Sequence, residues 1–410
     1  MKVKRGFDLK DRLFWLASEE EIKRAETTDV YFLFTKRLLR EKGVSTRVVM
    51  EVYARRLPYE GNWGIVSGIY EVAKLLEGLP VNVKAVEEGE LFPVNPTSAV
   101  YAPLLQIEGR YVDFAEYENA LLGLLCYSTG VSTKAARIRI KAWGKVLLSF
   151  GTRRTHPALA PLVERAAYIA GFDGVSNVLG ARLLGVRPVG TMPHSLILTI
   201  GDQRKAWIWF DEVIERDVPR VALVDTFYDE KAEALMALEA LGPRLYALRL
   251  DTPSSRRGDW RKIIEEVRWE LNLRGAGNVK LFASGGLDEK EVEELADLVD
   301  GFGVGTSVSA APVIDFSAKV VEVEEGGKMV PRAKRGDIAG RKQLYRLEDG
   351  LTHVVAPAHI SVDGEPLLRD LLVDGKLARP LLSPGKIRER VLRSLTKLRE
   401  GKEPRLLWRA

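Results

Sequence analysis

Short apolar runs alternate with helix-like segments between residues 146 and 304, and this alternation limits the choice of fold more than any other feature of the chain. Strands that alternate with helices in this way form a parallel sheet. Seven such strands predict an irregular parallel α/β barrel, with a doubly wound sheet as the alternative. The predicted strands are residues 146–150, 174–176, 188–190, 221–224, 245–250, 279–283 and 301–304, and helices are predicted at 157–170, 231–241, 259–273 and 289–298.

The segments on either side of this alternation have a mainly β character. β-rich runs fill residues 46–115 and return after residue 312, with a hairpin predicted around Glu108-Gly109. We therefore expect a smaller α+β domain built from both chain ends. The expected division is an N-terminal α+β domain at 1–115, a barrel domain at 116–312, and a C-terminal segment at 313–410 that completes the N-terminal domain.

Helical periodicity outside the barrel region predicts three further helical stretches. They are residues 11–42, residues 117–142 and a basic tail at 387–398. The Ser/Thr/Gly run at 128–133 would open a new helix within the second stretch. It would then either cap that helix or hold an anion on free backbone N–H groups.

Composition limits the environment and the partners. The single cysteine, Cys126, excludes internal disulfides and any cysteine-based zinc site. No apolar run approaches the ~20 residues of a membrane span, and the first residues lack the apolar core of a signal peptide, so we expect a cytoplasmic protein. The net charge of +5 and pI of about 9.0 suit anionic partners, from phosphorylated metabolites to nucleic acid.

Polar residues or glycines follow five of the predicted strands, where a parallel barrel carries its chemistry. Glycines after the last two strands would let backbone N–H groups reach a phosphate. Carboxylates after two adjacent strands suit Mg²⁺ (magnesium) shared with substrate oxygens. Two arginines offer forked donors to a carboxylate or a second phosphate. These residues are, in chain order, Arg153 and Arg154; Asp225; Asp251; Ser284, Gly285 and Gly286; and Gly305 and Thr306.

His194 follows a turn at Gly190-Thr191 and a rigid Pro193, between two apolar runs. A histidine at such a place could be a base, a metal ligand or a covalent carrier of phosphate. It could also simply begin a helix. From the pattern alone, Tyr31 is a core residue of a helix that begins after Thr27-Thr28-Asp29.

Five motifs occur in a fixed order along the chain. They are Phe150-Gly-Thr-Arg-Arg-Thr-His-Pro157, Gly171-Phe-Asp-Gly-Val-Ser-Asn177, Gly190-Thr-Met-Pro-His-Ser195, Arg249-Leu-Asp-Thr252 and Ser284-Gly-Gly-Leu-Asp288. Together they resemble nicotinate phosphoribosyltransferase in its compact archaeal or bacterial form, and the resemblance runs from about Thr28 to Ser309.

The resemblance implies transfer of phosphoribose from phosphoribosyl pyrophosphate to nicotinate, giving nicotinate mononucleotide and pyrophosphate with coupled ATP hydrolysis. His194 would carry the ATP-derived phosphate, and Tyr31 would reach the nicotinate of a neighbouring subunit in a homodimer or larger oligomer. The remaining implied roles fall to Phe172 and Arg249, flanking the pyridine ring; Arg153, at the nicotinate carboxylate or the donor; Asp225 and Asp251, at Mg²⁺ and ribose; and Ser284, Gly285, Gly286, Gly305 and Thr306, at the 5′-phosphate.

Alternatives remain at this stage. Quinolinate phosphoribosyltransferase shares the barrel, but it reads a second carboxylate where this chain has Ser176-Asn177. The nicotinamide enzyme is a longer chain, and the Gly-Thr-x-x-His spacing that includes Thr191 favours nicotinate over nicotinamide. Some archaeal relatives hold zinc in a cysteine-rich knuckle, which one cysteine excludes. A nucleic-acid-binding protein that uses the basic tail would leave the strand-end motifs unexplained.

Overall fold

The computed structural model describes residues 13–410. It comprises a seven-stranded antiparallel sheet, a six-stranded parallel sheet, two smaller sheets of four and two strands, and the helices that cover them. The strands are β1 Arg47–Ala54, β2 Trp63–Ile65, β3 Val81–Ala85, β4 Leu91–Pro93, β5 Leu105–Arg110, β6 Val146–Ser149, β7 Gly174–Val175, β8 Val221–Leu223, β9 Ala247–Leu250, β10 Lys280–Ser284, β11 Gly301–Val304, β12 Phe316–Glu325, β13 Lys328–Pro331, β14 Lys342–Arg346, β15 Thr352–Pro357, β16 Glu365–Pro366, β17 Arg369–Val373, β18 Lys376–Leu377 and β19 Arg405–Trp408.

The helices connect and cover these strands, and short 3₁₀ turns occur at Ala115–Tyr117, Thr152–Arg154 and Gly242–Arg244. The α-helices are α1 Glu19–Lys23, α2 Val30–Glu41, α3 Ile69–Leu76, α4 Tyr111–Phe114, α5 Glu118–Lys141, α6 Ala160–Ile169, α7 Val178–Leu184, α8 His194–Ile200, α9 Gln203–Val213, α10 Glu230–Leu241, α11 Ser254–Arg257, α12 Trp260–Leu273, α13 Glu289–Leu295, α14 Thr306–Ser309 and α15 Pro384–Arg399. None of the helices in the described part is long and apolar enough to span a bilayer.

The parallel sheet has six strands in the order β7-β6-β11-β10-β9-β8. The seventh predicted strand, at 188–190, is not a regular strand. The Val189 amide nevertheless donates a hydrogen bond of 2.9 Å to the Val175 carbonyl, so the segment lies along the free edge of β7. Pro188 has no N–H to donate, and the glycine beside Val189 weakens strand pairing. The alternation therefore predicts the parallel sheet correctly and overstates its regular strands by one.

The largest sheet is antiparallel and joins both ends of the chain. Its order is β13-β12-β1-β5-β3-β17-β18, so strands after residue 316 enclose three strands that precede residue 111. A separate sheet, β16-β14-β15-β19, lies entirely in the last 70 residues, and β2 pairs only with β4. The pairings of β12 with β1 and of β17 with β3 connect the C-terminal segment to the N-terminal one.

The hairpin predicted around Glu108-Gly109 is wrong, because β5 runs straight through both residues as a central strand between β1 and β3. The Glu108 carboxylate is ion-paired with Arg47 and Arg341, which offsets the cost of a charge within the sheet. Gly109 lets Val81 approach closely, since a Cβ at this position would lie 2.9 Å from the Val81 Cγ1.

The predicted helix break at 128–133 is also wrong, because α5 is one continuous helix of 24 residues. Its buried hydroxyls bond the backbone of β2 and the residue pair that follows it. Thr133 accepts from the Ile65 amide, Ser132 donates to the Ile65 carbonyl, and Thr129 both accepts from and donates to Ser67. The backbone amides of this run are used inside the helix, so no anion site exists there.

The N-terminal helical prediction at 11–42 is partly right. Residues 11 and 12 lie outside the described part of the chain. The remainder forms two helices, α1 and α2, separated by a turn in which Ala25 adopts a φ of 57°. The basic tail helix is confirmed as α15, which begins after Ser383, whose hydroxyl caps the Lys386 amide.

Candidate active site

The C-terminal ends of the parallel strands bring the predicted polar turns to one edge of the sheet. In register, Arg249 of β9 lies beside Phe282 of β10, and Ser284 of β10 lies beside Gly303 of β11. Strand β11 in turn pairs with β6, just ahead of the turn that contains Arg153. This edge is where open α/β sheets bind their ligands.

Arg249 is the centre of a hydrogen-bond network that joins three of the predicted segments. Its Nε donates to the Ser284 hydroxyl at 2.8 Å and its Nη1 to the Thr191 hydroxyl at 2.9 Å. Ser284 then donates to the Asp251 carboxylate at 2.6 Å, and Arg249 Nη2 lies 3.2 Å from the same oxygen. The sequence predicted each of these residues, and the structure brings them together.

His194 is the first residue of α8 and lies between two carboxylates. Its Nδ1 forms a hydrogen bond of 3.0 Å with the Thr226 hydroxyl, and its Nε2 lies 3.5 Å from Asp225 and 3.6 Å from Asp251. The close approach of Asp251 and the negative charge of Asp225 raise the pKa of the imidazole above its usual value, against the opposing effect of burial. The site therefore favours the protonated ring.

The two carboxylates beside His194 have opposite pKa shifts. Burial raises the pKa of Asp225 to about 6 even though His194 is nearby. Burial also acts to raise the pKa of Asp251, but hydrogen bonds and charge from His194, Arg249 and Ser284 outweigh it and hold that pKa at about 2. Asp251 is therefore a fixed negative charge, whereas Asp225 keeps its proton to a higher pH than an ordinary carboxyl group.

The turn that carries Asp225 is fixed by a buried glutamate that the sequence reasoning missed. Both oxygens of Glu233, on α10, accept backbone amides, from Thr226 at 3.0 Å, Phe227 at 2.6 Å and Tyr228 at 2.9 Å. A glutamate four residues into a helix after an Asp-Thr turn is the signal that would have identified it.

The glycine-rich turns require glycine for conformation and for space. Gly285 has a φ of +91°, and a Cβ there would lie 2.8 Å from the Asp251 carbonyl. Gly286 has a φ of +67° with open space around it. Gly305 precedes the short helix α14, whose first residue is Thr306, and a Cβ at Gly305 would lie 3.1 Å from the Phe150 carbonyl. These turns follow β10 and β11, and β10 pairs directly with β9, the strand that carries Arg249.

Arg153 and Arg154 form the 3₁₀ turn after β6 and are both exposed. Neither guanidinium has an ion pair or hydrogen bond with a residue in the described range 13–410. Two unpaired cations at the edge of the sheet are free to meet an anionic ligand.

A cavity of about 280 Å³ opens beside Arg249 and extends between the strands. Its wall includes Phe150, and the Arg249 guanidinium lies 5.1 Å from the centre of that ring. Sequence reasoning missed Phe150. A Cβ on Gly303 would lie 2.2 Å from the Phe150 ring, so the glycine makes room for the aromatic side chain.

The structure does not bring Phe172 to this site. Its side chain is fully buried in the core, and its carbonyl accepts from Arg388 of α15. The carboxylate of the next residue, Asp173, accepts a hydrogen bond from the Leu147 amide at the start of β6. Phe172 therefore lies near the N-terminal ends of the parallel strands, opposite the site. The structure therefore does not support the expectation that Phe172 flanks a ring at this site. Strand direction, not aromatic character, decides which phenylalanine reaches the cavity, and the one that lines it is Phe150.

Ser176 and Asn177 follow β7, at the C-terminal ends of the parallel strands where the site lies, but their polar groups already have hydrogen-bond partners. The Asn177 side chain accepts from the Gly180 amide and begins α7, while its backbone amide donates to Glu164 at 3.1 Å. The Ser176 hydroxyl lies 3.5 Å from the same Glu164 oxygen. The geometry therefore favours a structural role for these two side chains over direct contact with substrate.

Tyr31 lies on α2, away from the residues above, and is more than half exposed rather than in the core. Phe34 and Leu38, one and two turns further along the helix, are also more than half exposed. Together these three residues, which we call the α2 apolar face, have no cover within the described chain.

The chain's own side chains do not complete a metal site. Within residues 13–410, no group of three or more His, Cys, Asp or Glu side chains is arranged to hold an ion. Asp225 Oδ1 is buried without a hydrogen-bond partner in the same range, so one oxygen remains available to a ligand. A Mg²⁺ ion here would need oxygens from a bound substrate.

Comparison with known proteins agrees with this geometry. The C-terminal domain model of quinolinate phosphoribosyl transferase matches residues 131–319, and its N-terminal domain model matches residues 29–129. A crystal structure described as nicotinate-nucleotide pyrophosphorylase from Pyrococcus furiosus superposes with a TM-score of 0.90 at 53% identity, covering 94% of this chain and 98% of that one. Fold and site thus define a phosphoribosyltransferase of the quinolinate phosphoribosyl transferase type.

The curated relatives narrow the class. A nicotinate phosphoribosyltransferase of Mycobacterium tuberculosis is 30% identical over 348 residues, covering 75% of this chain and 74% of that protein. The human nicotinic acid phosphoribosyltransferase has the same fold, with a TM-score of 0.73 at 22% identity over 93% of this chain and 97% of that one. The chain belongs to the nicotinate phosphoribosyltransferase family.

Proposed function

We propose that this protein transfers the phosphoribosyl group of phosphoribosyl pyrophosphate to nicotinate, releasing nicotinate mononucleotide and pyrophosphate, as a step of NAD biosynthesis and salvage. The observation that carries the proposal is the position of Arg249, which holds Ser284, Thr191 and Asp251 together at the mouth of a cavity walled by Phe150. A guanidinium beside an aromatic ring offers a partner for the carboxylate and a surface for the pyridine ring.

The cations around the cavity favour one carboxylate over two. Two arginines line it in the described chain, and Arg187 lies at the end away from the site, paired with Asp217. Arg249 is the cation at the mouth of the cavity, where its guanidinium also contacts Asp251. Quinolinate, the alternative substrate, carries a second carboxylate that would be buried here without a partner.

The charged groups suit a donor that develops positive charge on ribose and negative charge on pyrophosphate. Asp251, with a pKa of about 2, is an ionised carboxylate that stabilises the ribose cation by charge. The glycine turns at Gly285, Gly286 and Gly305 hold the 5′-phosphate, and Arg153 and Arg154 hold the pyrophosphate. The nicotinate nitrogen is already nucleophilic, so no general base is required for this transfer.

Mg²⁺ fits the oxygens present, with Asp225 and Asp251 as its protein ligands and the rest supplied by substrate. When bound, the ion neutralises the charge of the departing pyrophosphate. No zinc is expected.

ATP is the proposed co-substrate, and His194 the residue that carries its phosphate. Transfer forms a bond between an imidazole nitrogen and the γ-phosphorus and breaks the bond to ADP. The ring must first lose a proton. In the metal-free site burial raises the pKa of Asp225 to about 6, which makes this carboxylate a stronger base than an ordinary one. The Thr226 hydroxyl holds Nδ1, which leaves Nε2 facing the two carboxylates.

We also infer that the parallel sheet curves into an incompletely closed barrel. The cavity is lined both by Val189, beside edge strand β7, and by Val221 of the opposite edge strand β8. A flat sheet would hold these residues several strand widths apart, since neighbouring strands are about 4.8 Å apart. The further parts of the proposal are a cytoplasmic homo-oligomer with shared sites, Tyr31 reaching a neighbouring subunit, and no nucleic-acid or membrane partner.

Product analysis tests the function. The native protein is incubated with phosphoribosyl pyrophosphate and Mg²⁺ and with nicotinate, quinolinate or nicotinamide, with and without ATP, and products are separated by chromatography. We expect nicotinate mononucleotide from nicotinate alone, with stimulation by ATP. His194→Ala should keep the basal transfer and lose the stimulation. His359→Ala, which removes an exposed histidine outside the site, is the control and should behave as native.

The outcomes separate the parts of the proposal. Product from quinolinate and none from nicotinate would overturn the substrate assignment. ATP stimulation that survives in His194→Ala would overturn the role of the histidine while leaving the transfer reaction in place.

A further inference from the structure

Glu164, on α6, is a charged residue type in a fully buried position. Its neighbours on the helix, Val163, Ala166 and Ala167, are buried apolar residues of the core around the parallel sheet. A carboxylate placed among such residues costs free energy unless its oxygens are bonded. Burial raises the pKa of Glu164, and its Oε2 has no hydrogen-bond partner in the described part of the chain. Core packing alone gives no reason for this side chain.

The bonds that Glu164 does make join two neighbouring turns. Its Oε1 accepts from the Thr152 hydroxyl at 3.2 Å and from the Asn177 amide at 3.1 Å. Thr152 follows β6 and Asn177 follows β7, and these strands are adjacent and parallel. One carboxylate oxygen therefore bridges the C-terminal ends of two strands at the edge that carries the site.

The helix that follows the second turn is shaped around Glu164. Gly180 of α7 faces it, and a Cβ at Gly180 would lie 3.0 Å from the Glu164 Cβ and 3.1 Å from its Cγ. The contact is tighter than ordinary packing allows, so a larger residue at 180 would push the glutamate or the helix aside.

Thr152 is the residue directly before Arg153 and Arg154. The turn is a single 3₁₀ turn, and neither guanidinium is tethered to a described side chain. The direction of the two arginines thus depends on the backbone of this turn, and Glu164 is its buried side-chain anchor.

We infer that Glu164 is a positioning residue, which fixes the turn at Thr152 so that Arg153 meets the anionic groups of the phosphoribosyl donor. The inference rests on the proposed function for the identity of the donor. A misplacement of about 1 Å at an anion-binding guanidinium lowers affinity and turnover, by up to about a hundredfold for a catalytic group. Glu164 itself touches no substrate, so its effect passes through the arginine.

A double-mutant cycle tests this dependence. Glu164→Leu, Arg153→Ala and the double variant are compared with native protein for KM of the donor and kcat, and for direct binding of inorganic pyrophosphate with Mg²⁺ by calorimetry. We expect Glu164→Leu to raise the KM and weaken pyrophosphate binding by about tenfold or more. The double variant should fall clearly short of the sum of the two single effects, because residues that act through each other are not additive. The further loss relative to Arg153→Ala should be only the part that passes through Arg154, which the same turn carries.

Two further variants separate positioning from simple loss of stability. Glu164→Gln keeps an oxygen that can accept from Thr152 and should restore most of the donor affinity. Glu71→Leu removes another largely buried glutamate with an unpartnered oxygen, on α3, and should lower the melting temperature without changing the donor KM.

Effects of Glu164→Leu and Arg153→Ala that simply add would overturn the inference, as would a folded Glu164→Leu protein that binds pyrophosphate like the native one. Failure of the native protein to turn over nicotinate would count against the proposed function instead. The pyrophosphate-binding cycle would still decide the role of Glu164.

Discussion

Asp225 and Asp251 lie on either side of the same imidazole, yet their surroundings shift their pKa values in opposite directions. Asp251 is bonded by Ser284 and Arg249, so it stays ionised, whereas the Asp225 oxygen that faces His194 has no hydrogen-bond partner in residues 13–410. When two carboxyl groups of one site have well separated pKa values, they commonly have different chemical roles. Asp251 supplies constant charge, and Asp225 can take up or release a proton.

The raised pKa of Asp225 predicts a pH-dependent gain from removing its charge. In the unfolded chain the carboxyl ionises near its ordinary value of 3.8, but in the folded protein it ionises only at about 6. The folded state therefore holds the proton more tightly, and stability is lost as the pH rises from the first value through the second. The free energy of unfolding of Asp225→Asn should equal that of the native protein at about pH 4 and exceed it by roughly 1–2 kcal/mol at about pH 8.

Urea unfolding in the presence of a metal chelator, at the two pH values, measures this difference. Asp297→Asn is the control, because Asp297 is exposed and paired with Arg261, so its removal should give no gain at high pH. An Asp225→Asn protein with the same advantage at both pH values would contradict the assignment of the proton to Asp225.

At the scale of single residues, the sequence predicted the polar half of the site better than the apolar half. Arg249 and Ser284 lie in the last residues of recognisable strands and Asp251 directly after one, and the C-terminal ends of parallel strands all lie on the same side of the sheet. Phe172 and Phe150 cannot be separated in this way, because both are aromatic and both lie within motifs. What separates them is that Phe150 directly follows a strand whereas Phe172 precedes one, so the two side chains lie at opposite ends of the parallel strands.

At the scale of elements, α5 shows why hydroxyl-rich runs mislead. Ser, Thr and Gly are typical of helix starts because they bond free amides. In α5 the same hydroxyls instead bond the backbone of β2 and of Ser67. They therefore satisfy backbone groups of a short strand that has only one partner strand. Nothing local distinguishes the two uses, because the difference depends on residues more than 60 positions earlier.

This role of α5 predicts a large stability cost for a nearly isosteric change. Thr129→Val removes the hydroxyl that accepts from the Ser67 amide and donates to the Ser67 carbonyl, leaving two buried polar groups without that partner. We expect the free energy of unfolding to fall by about 2–3 kcal/mol, with an unchanged dependence on urea concentration. The matched control is Thr396→Val on α15, whose exposed hydroxyl bonds only its own helix, at Leu392. It should change stability by less than about 0.5 kcal/mol. Equal costs for the two variants would contradict the role given to α5.

At the scale of the whole molecule, the alternation of strands and helices was enough to predict the parallel sheet. The return of β character after residue 312 likewise indicated a shared antiparallel sheet, and β12 pairs with β1. The order of its seven strands was not predictable, since register between distant strands depends on packing that no local pattern records. The cover of the α2 apolar face likewise depends on something beyond one copy of the described chain.

A second copy of this chain is the cover we expect for the α2 apolar face, and it makes a prediction about mixed oligomers. Exposed aromatic and aliphatic side chains on one helix face are typical of interfaces. If Tyr31 serves the site of a neighbouring subunit, Tyr31→Ala and Arg153→Ala damage different parts of the same shared site. Each variant alone should be nearly inactive. When the two are dissociated, mixed in equal amounts and reassociated as symmetric dimers, half the dimers are hybrids with one intact site, so about a quarter of native activity should return.

Activity is measured before and after mixing, with Tyr31→Ala mixed with itself as the control. No recovery from hybrids whose formation is confirmed by mass spectrometry would mean that Tyr31 acts within its own subunit or not at all.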